Sequence, residues 1–172
     1  QEYRKVESLL EERGFVHDIR AGAPICRWRY HSIALDVMPA QAGVLSADNP
    51  WYPLALETAQ QFSLEGGIAI RLIAAPVFIA TRFEAIRTRW QGDLSGGHEL
   101  ADLVTVVEGR ASLLDEVRQA PQRVREFVVA NFRDVLARPD LPQVLAGIVA
   151  DDTDGQQRLP ELLARFQALA AL

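Results

Sequence analysis

The chain has 172 residues, 49% hydrophobic and 24% charged, a balance that suits a folded globular protein and excludes a disordered one. A formal charge of −5 offers no broad basic surface for nucleic acid, and the single Cys26 excludes an internal disulfide or a multi-cysteine zinc site. No apolar run approaches the roughly 20 residues of a membrane span and no signal-peptide pattern opens the sequence, so a reducing, cytoplasmic setting is expected.

Residues 2–13, EYRKVESLLEER, set Val6, Leu9 and Leu10 on one face and charges on the other before Gly14, which predicts an amphipathic helix with a glycine stop. Phe15 to Ile19 reads as a short extended connection. Residues 25–30 and 33–38 then alternate on either side of His31-Ser32, which predicts a β-hairpin pairing Tyr30 with Ile33, Trp28 with Leu35 and Arg27 with Asp36. Pro39 ends the second strand, and residues 40–50 read as a loop. A helix is expected from Trp51 to Gln61, a turn at Gly66-Gly67, and a strand over Ile68 to Ala74 buried on both faces.

From Pro76 onward the pattern is helical. Ile79, Phe83, Ile86 and Trp90 mark one buried face, and Leu100, Leu103, Val104 and Val107 mark another after a loop at 92–97. Segments 112–119, 121–138, 141–150 and 156–172 follow, broken by Pro121, Pro139 and Gly155. The fold class expected is therefore α+β: a small mixed sheet with helices over residues 1–75, then an α-helical region over 76–172.

Chemistry is sparse. A strand carboxylate at Asp36 is costly to bury without a partner, so it is either an ion pair of Arg27 or a metal ligand held on a rigid strand; both hold if a cation releases it from Arg27. Glu99 and Asp102 share a helix face, and His98 with Asp102 has the spacing of a weak two-ligand metal pair. Arg82 and Arg89 lie two turns apart, suited either to salt bridges with Glu84 or the acids of the next helix, or to cradling a polyphosphate. His17 and His31 read as surface residues and Cys26 as a packed core thiol. GxSxG, P-loop, GxGxxG and HExxH patterns are absent from the sequence, and Lys5 is its only lysine.

With the strand IALDVMP and the stretch APVFIATRFEAIRTRW…GGHELADLVTVVEGR side by side, residues 3 to 110 resemble the nucleotidyltransferases of the DNA polymerase β superfold, in particular the AbiEii/AbiGii toxin-like family. The resemblance makes residues 1–75 a partial nucleotidyltransferase core. It matches Asp36 to the third metal-holding acid, sets Arg82 where a lysine and Glu99 where an aspartate stand in the family, and matches Asp102 to the second downstream aspartate. It thus implies Asp36 and Asp102 as catalytic, Asp36 as ligand to Mg²⁺ or Mn²⁺, and Arg82, Arg89 and Glu99 as nucleotide-binding. The implied partners are a nucleoside triphosphate, an RNA or tRNA acceptor and a cognate antitoxin, with an oligomer open and no membrane. The family's GS…DxD segment is not in these 172 residues. It is expected just upstream of Gln1, and the chain without it is expected to be catalytically silent.

Overall fold

The structure, a computed structural model, describes residues 2–38, 49–89, 91–149 and 153–172. It is α+β and divides into two compact units, residues 1–50 and 51–172. The strand-ending Pro39, most of the loop predicted over 40–50, and Trp90 lie outside the described residues.

The first unit opens with α1 (Glu2–Glu12). Gly14 stops it at φ +83°: its amide donates to the Glu11 carbonyl at 2.9 Å and the Phe15 amide to the Leu10 carbonyl at 3.0 Å. This left-handed cap satisfies carbonyls the helix would otherwise leave bare, and it needs glycine, because a Cβ there would also sit 3.3 Å from the Tyr30 ring. The Tyr3 hydroxyl ties α1 to the sheet, donating to the Val37 carbonyl at 3.4 Å. Strands β1 (Val16–His17), β2 (Arg27–Tyr30) and β3 (Ile33–Asp36) form an antiparallel sheet in that order. The predicted register is the one observed: Tyr30 faces Ile33, Trp28 faces Leu35 and Arg27 faces Asp36. The positive φ of 50° at His31 closes the two-residue turn. Trp28 is fully buried with Cys26 beside it in the interior, while His17 and His31 are exposed. The His17 ring nevertheless lies over the Trp28 indole at 3.7 Å between centroids.

In the second unit α2 (Tyr52–Glu57) is shorter than expected. Thr58 ends it, its hydroxyl donating to the Leu54 carbonyl at 2.7 Å, and the residues read as helix beyond it form strand β4 (Gln60–Ser63). β4 pairs antiparallel with β5 (Ala69–Leu72) around Gly66 and Gly67, both at positive φ. β5 is not buried on both faces: Ala69, Arg71 and Leu72 are exposed, because a two-stranded ribbon has no second layer to cover it. Both sheets are antiparallel where a mixed sheet was expected, since short turns can join only antiparallel neighbours.

Helices α3 (Ala75–Arg89), α4 (Glu99–Gly109), α5 (Leu113–Gln119), α6 (Gln122–Leu136), α7 (Leu141–Ile148) and α8 (Thr153–Ala170) complete the unit. The breaks at Pro121 and Pro139 hold, whereas Gly155 lies inside α8 instead of before it. Ile79, Phe83 and Ile86 are buried as the spacing predicts, but so are Thr81 and Glu84, so α3 is enclosed nearly all round. The core centres on Phe132 of α6, which meets Phe83 of α3 and Phe166 of α8 edge-on, each at 5.0 Å between ring centroids. Arginines close the helix ends: Arg165 donates to the last carbonyls of α4, Val107 and Glu108, at 2.6 and 3.0 Å, and Arg133 to Ala170 of α8 at 2.7 Å. A cation there also meets the negative end of the helix dipole, so Arg133 and Arg165 serve the fold.

Candidate functional site

Asp36 closes β3, where the ladder holds its backbone and alternation turns its side chain to the same face as Ala34. It is not buried under Leu35 and Val37: the side chain is 40% exposed. Arg27, directly across the ladder, grips it as a fork, Nε donating to Oδ1 at 2.7 Å and Nη2 to Oδ2 at 2.8 Å. These hydrogen bonds hold the carboxyl below its usual range and push Arg27 upward.

Asp18 stands on the same sheet face, its amide donating to the Arg27 carbonyl at 2.9 Å. Its side chain is 1% exposed, and Arg20 takes both its oxygens, at 2.7 and 2.5 Å. That fork lowers its pKa from the usual 3.8 to about 2. Sequence reasoning passed over this residue; the signal was its alternation with Val16 across β1 and the Asp-x-Arg spacing of a local turn.

A carboxylate depressed in the folded state binds its proton more readily once unfolded, so its contribution to stability is present above the unfolded pKa and lost as pH falls through the folded one. Asp36, Asp140 and Glu116 are lowered too, the first two by the forks of Arg27 and Arg138; burial works against the shift at Glu116, where Arg110 and Ser112 prevail. For Asp18 the window runs from about 4 down to about 2. Urea midpoints measured from pH 6 to 2 are therefore expected to fall steeply below about pH 4, with Asp18→Asn flattening the loss in the first unit. An unchanged slope in that variant would remove Asp18 from the account.

In the second unit α3 and α4 run antiparallel and place the other predicted residues on facing turns. Arg82 Nη1 lies 3.4 Å from Asp102 Oδ2, and Arg89 Nη1 lies 3.7 Å from Glu99 Oε1. The salt bridges to the acids of the next helix are thus present, while Glu84 is taken by Arg87 at 2.8 and 3.0 Å. Glu99 is buried, although a pair of acids at that spacing suggests a solvated face. Its position in the first turn of α4 lets the helix dipole favour its charge. The Arg82 guanidinium rests over the Phe78 ring at 4.7 Å, and its Nε is buried with no hydrogen-bond partner among the described residues. His98 is exposed, one residue before the helix.

Among the described residues no three His, Cys, Asp or Glu side chains gather as a metal cage, and no helix is long and apolar enough to cross a membrane. Asp36 is a hard oxygen donor of the kind Mg²⁺ takes, one or two carboxylates with substrate phosphates and water, but both its oxygens are engaged by Arg27. Among the described residues, clefts of about 190, 420 and 280 Å³ in the second unit are lined by other side chains, among them Arg110, Arg158, Arg165 and Gln119. The chain matches no protein-family model, no curated protein and no solved structure.

Proposed function

We propose that the chain is part of a metal-dependent nucleotidyltransferase that moves a nucleotide from a nucleoside triphosphate to a hydroxyl acceptor, RNA and tRNA in particular. The observation that carries this reading is the Asp36 carboxylate, ionised and 40% exposed at the end of a rigid strand. In the reaction the acceptor hydroxyl oxygen forms a bond to the α-phosphorus and gives its proton to solvent, the bond from the α-phosphorus to the oxygen bridging to the β-phosphate breaks, and pyrophosphate leaves. Mg²⁺ or Mn²⁺ bound at Asp36 would supply charge neutralisation at the triphosphate. Asp36 would hold that cation; considered by themselves in the second unit, Arg82 and Arg89, each paired with one acid of α4, are guanidinium groups of the kind that takes phosphate. A cognate antitoxin belongs to the same reading.

A second reading, a non-catalytic binding scaffold, is favoured by one feature: both oxygens of Asp36 are already occupied by Arg27. The two are separated by transfer of label from [α-³²P]NTPs to tRNA with Mg²⁺ or Mn²⁺, using protein made from the whole coding sequence. Transfer is expected there and not from the 172-residue chain alone, and Asp36→Ala is expected to lower it by at least about a hundredfold. Full activity in Asp36→Ala removes Asp36 from the metal site; no transfer by the wild type favours the scaffold.

A further inference from the structure

We propose that a second copy of this chain covers the apolar face of the β4–β5 ribbon, the two ribbons packing face to face about a two-fold axis with their turns pointing opposite ways.

The register sets Gln60 opposite Leu72 and Phe62 opposite Ile70, and the Leu64 amide continues it by donating to the Ile68 carbonyl at 2.8 Å. Alternation therefore gathers Phe62, Leu64, Ile68, Ile70 and Leu72 on one face of the ribbon. Phe62 is 51%, Leu64 43%, Ile68 62% and Leu72 44% exposed, so the face that belongs inside is outside. The opposite face is the one tied down: Arg71 donates from it to the carbonyls of Leu56 and Ala59 at 2.7 and 3.3 Å. A two-stranded ribbon is marginal in water until its apolar face is packed, so a cover for this one stabilises the strands themselves.

Three features make that cover a second copy. The face carries no charged side chain and Gln60 is its one polar member, so stacked on itself it buries no unpaired charge and is its own complement. Its exposed apolar area is on the order of 400 Å², so two such faces with their rims reach the roughly 1,000 Å² of a specific but weak interface. The one acid of the hairpin, Glu65, lies in the turn with Gly66 and Gly67; turns pointing opposite ways keep the two Glu65 carboxylates apart while the ribbons stack at about 10 Å, as sheets do in a sandwich. A lipid surface fits this face less well. The hairpin's one cation, Arg71, is on the other face and engaged, and the formal charge of −5 opposes an anionic headgroup layer.

Sedimentation velocity of the 172-residue chain over a concentration series tests the proposal. A dimer with a Kd of about 10–100 µM is expected from an interface of this size, and it persists in high salt because no ion pair holds it. Phe62→Glu and Ile68→Glu, both at exposed positions, are each expected to weaken it at least about tenfold, while Ile19→Glu, at an exposed apolar residue of the first unit, leaves it unchanged. Circular dichroism checks that each variant is folded. Amide hydrogen exchange over residues 60–72 is expected to slow as the concentration of the wild type rises. A chain that stays monomeric throughout overturns the proposal. Co-sedimentation of that monomer with phosphatidylcholine vesicles would then give the face to lipid, protection of 60–72 at every concentration would give it to another part of the same chain, and neither result would leave it to a different protein. A dimer indifferent to both Phe62→Glu and Ile68→Glu places the contact elsewhere and overturns the proposal as well.

Discussion

Replacing Phe132 with alanine is expected to lower the unfolding free energy of the second unit by about 3–5 kcal/mol. Phe132 has no exposed surface, and its ring is the middle of three, edge-on to Phe83 and Phe166. The substitution removes the transfer free energy of a whole aromatic side chain and leaves a cavity between α3, α6 and α8, which cannot close on it without moving three helices. Each lost edge-to-face pair adds about 0.5–1.5 kcal/mol to what burial alone would give. Domain stabilities run at about 5–15 kcal/mol, so this one change removes a large share. Guanidinium denaturation followed by helical circular dichroism measures it. Phe132→Leu, which keeps most of the volume, is expected to cost much less; a loss below about 1 kcal/mol in Phe132→Ala would mean that the three-ring contact does not organise this core.

How far the sequence reaches depends on the range of the interactions that decide each element. Alternation about a two-residue turn is local, and it sufficed to predict the β2–β3 register down to the Arg27–Asp36 pair. Helical spacing likewise found the buried faces of α3 and α4, and proline found the starts of α6 and α7. The failures lie where a distant partner decides. The polar segment Gln60–Ser63 has no periodicity of its own and is a strand because Ala69–Leu72 pairs with it. Glu99 looks like a surface acid until α3 brings Arg89 against it. Arg82 and Arg89 were legible as partners of Glu84 or of the acids of the next helix; that they take the latter follows from the antiparallel course of α3 and α4. Asp36 was legible as a strand carboxylate; its exposure was not, because that depends on what covers the sheet.

Trp28→Ala is expected to unfold the first unit. Among the described residues, Trp28 and Cys26 are the buried hydrophobic side chains of that unit, and the indole is the larger by far. Truncating it costs about 3–5 kcal/mol, against a stability of about 3–8 kcal/mol for fifty residues at the usual contribution per residue. The indole lies between Arg27 and Arg29 in β2, faces Leu35 across the ladder and lies under the His17 ring of β1, so its loss frees all three strands at once. Amide hydrogen exchange reports this directly: protection over Arg27–Tyr30 and Ile33–Asp36 should collapse, while α3, α6 and α8 keep theirs. Protection that persists in β2 and β3 would mean that contacts other than the indole hold the sheet. Asp36→Asn supplies the contrast, since it removes charge from an exposed side chain and should leave that protection intact. The apolar face of β2 fixes the register and its polar face carries the ion pair, so Trp28 sets where Asp36 stands without touching what it binds.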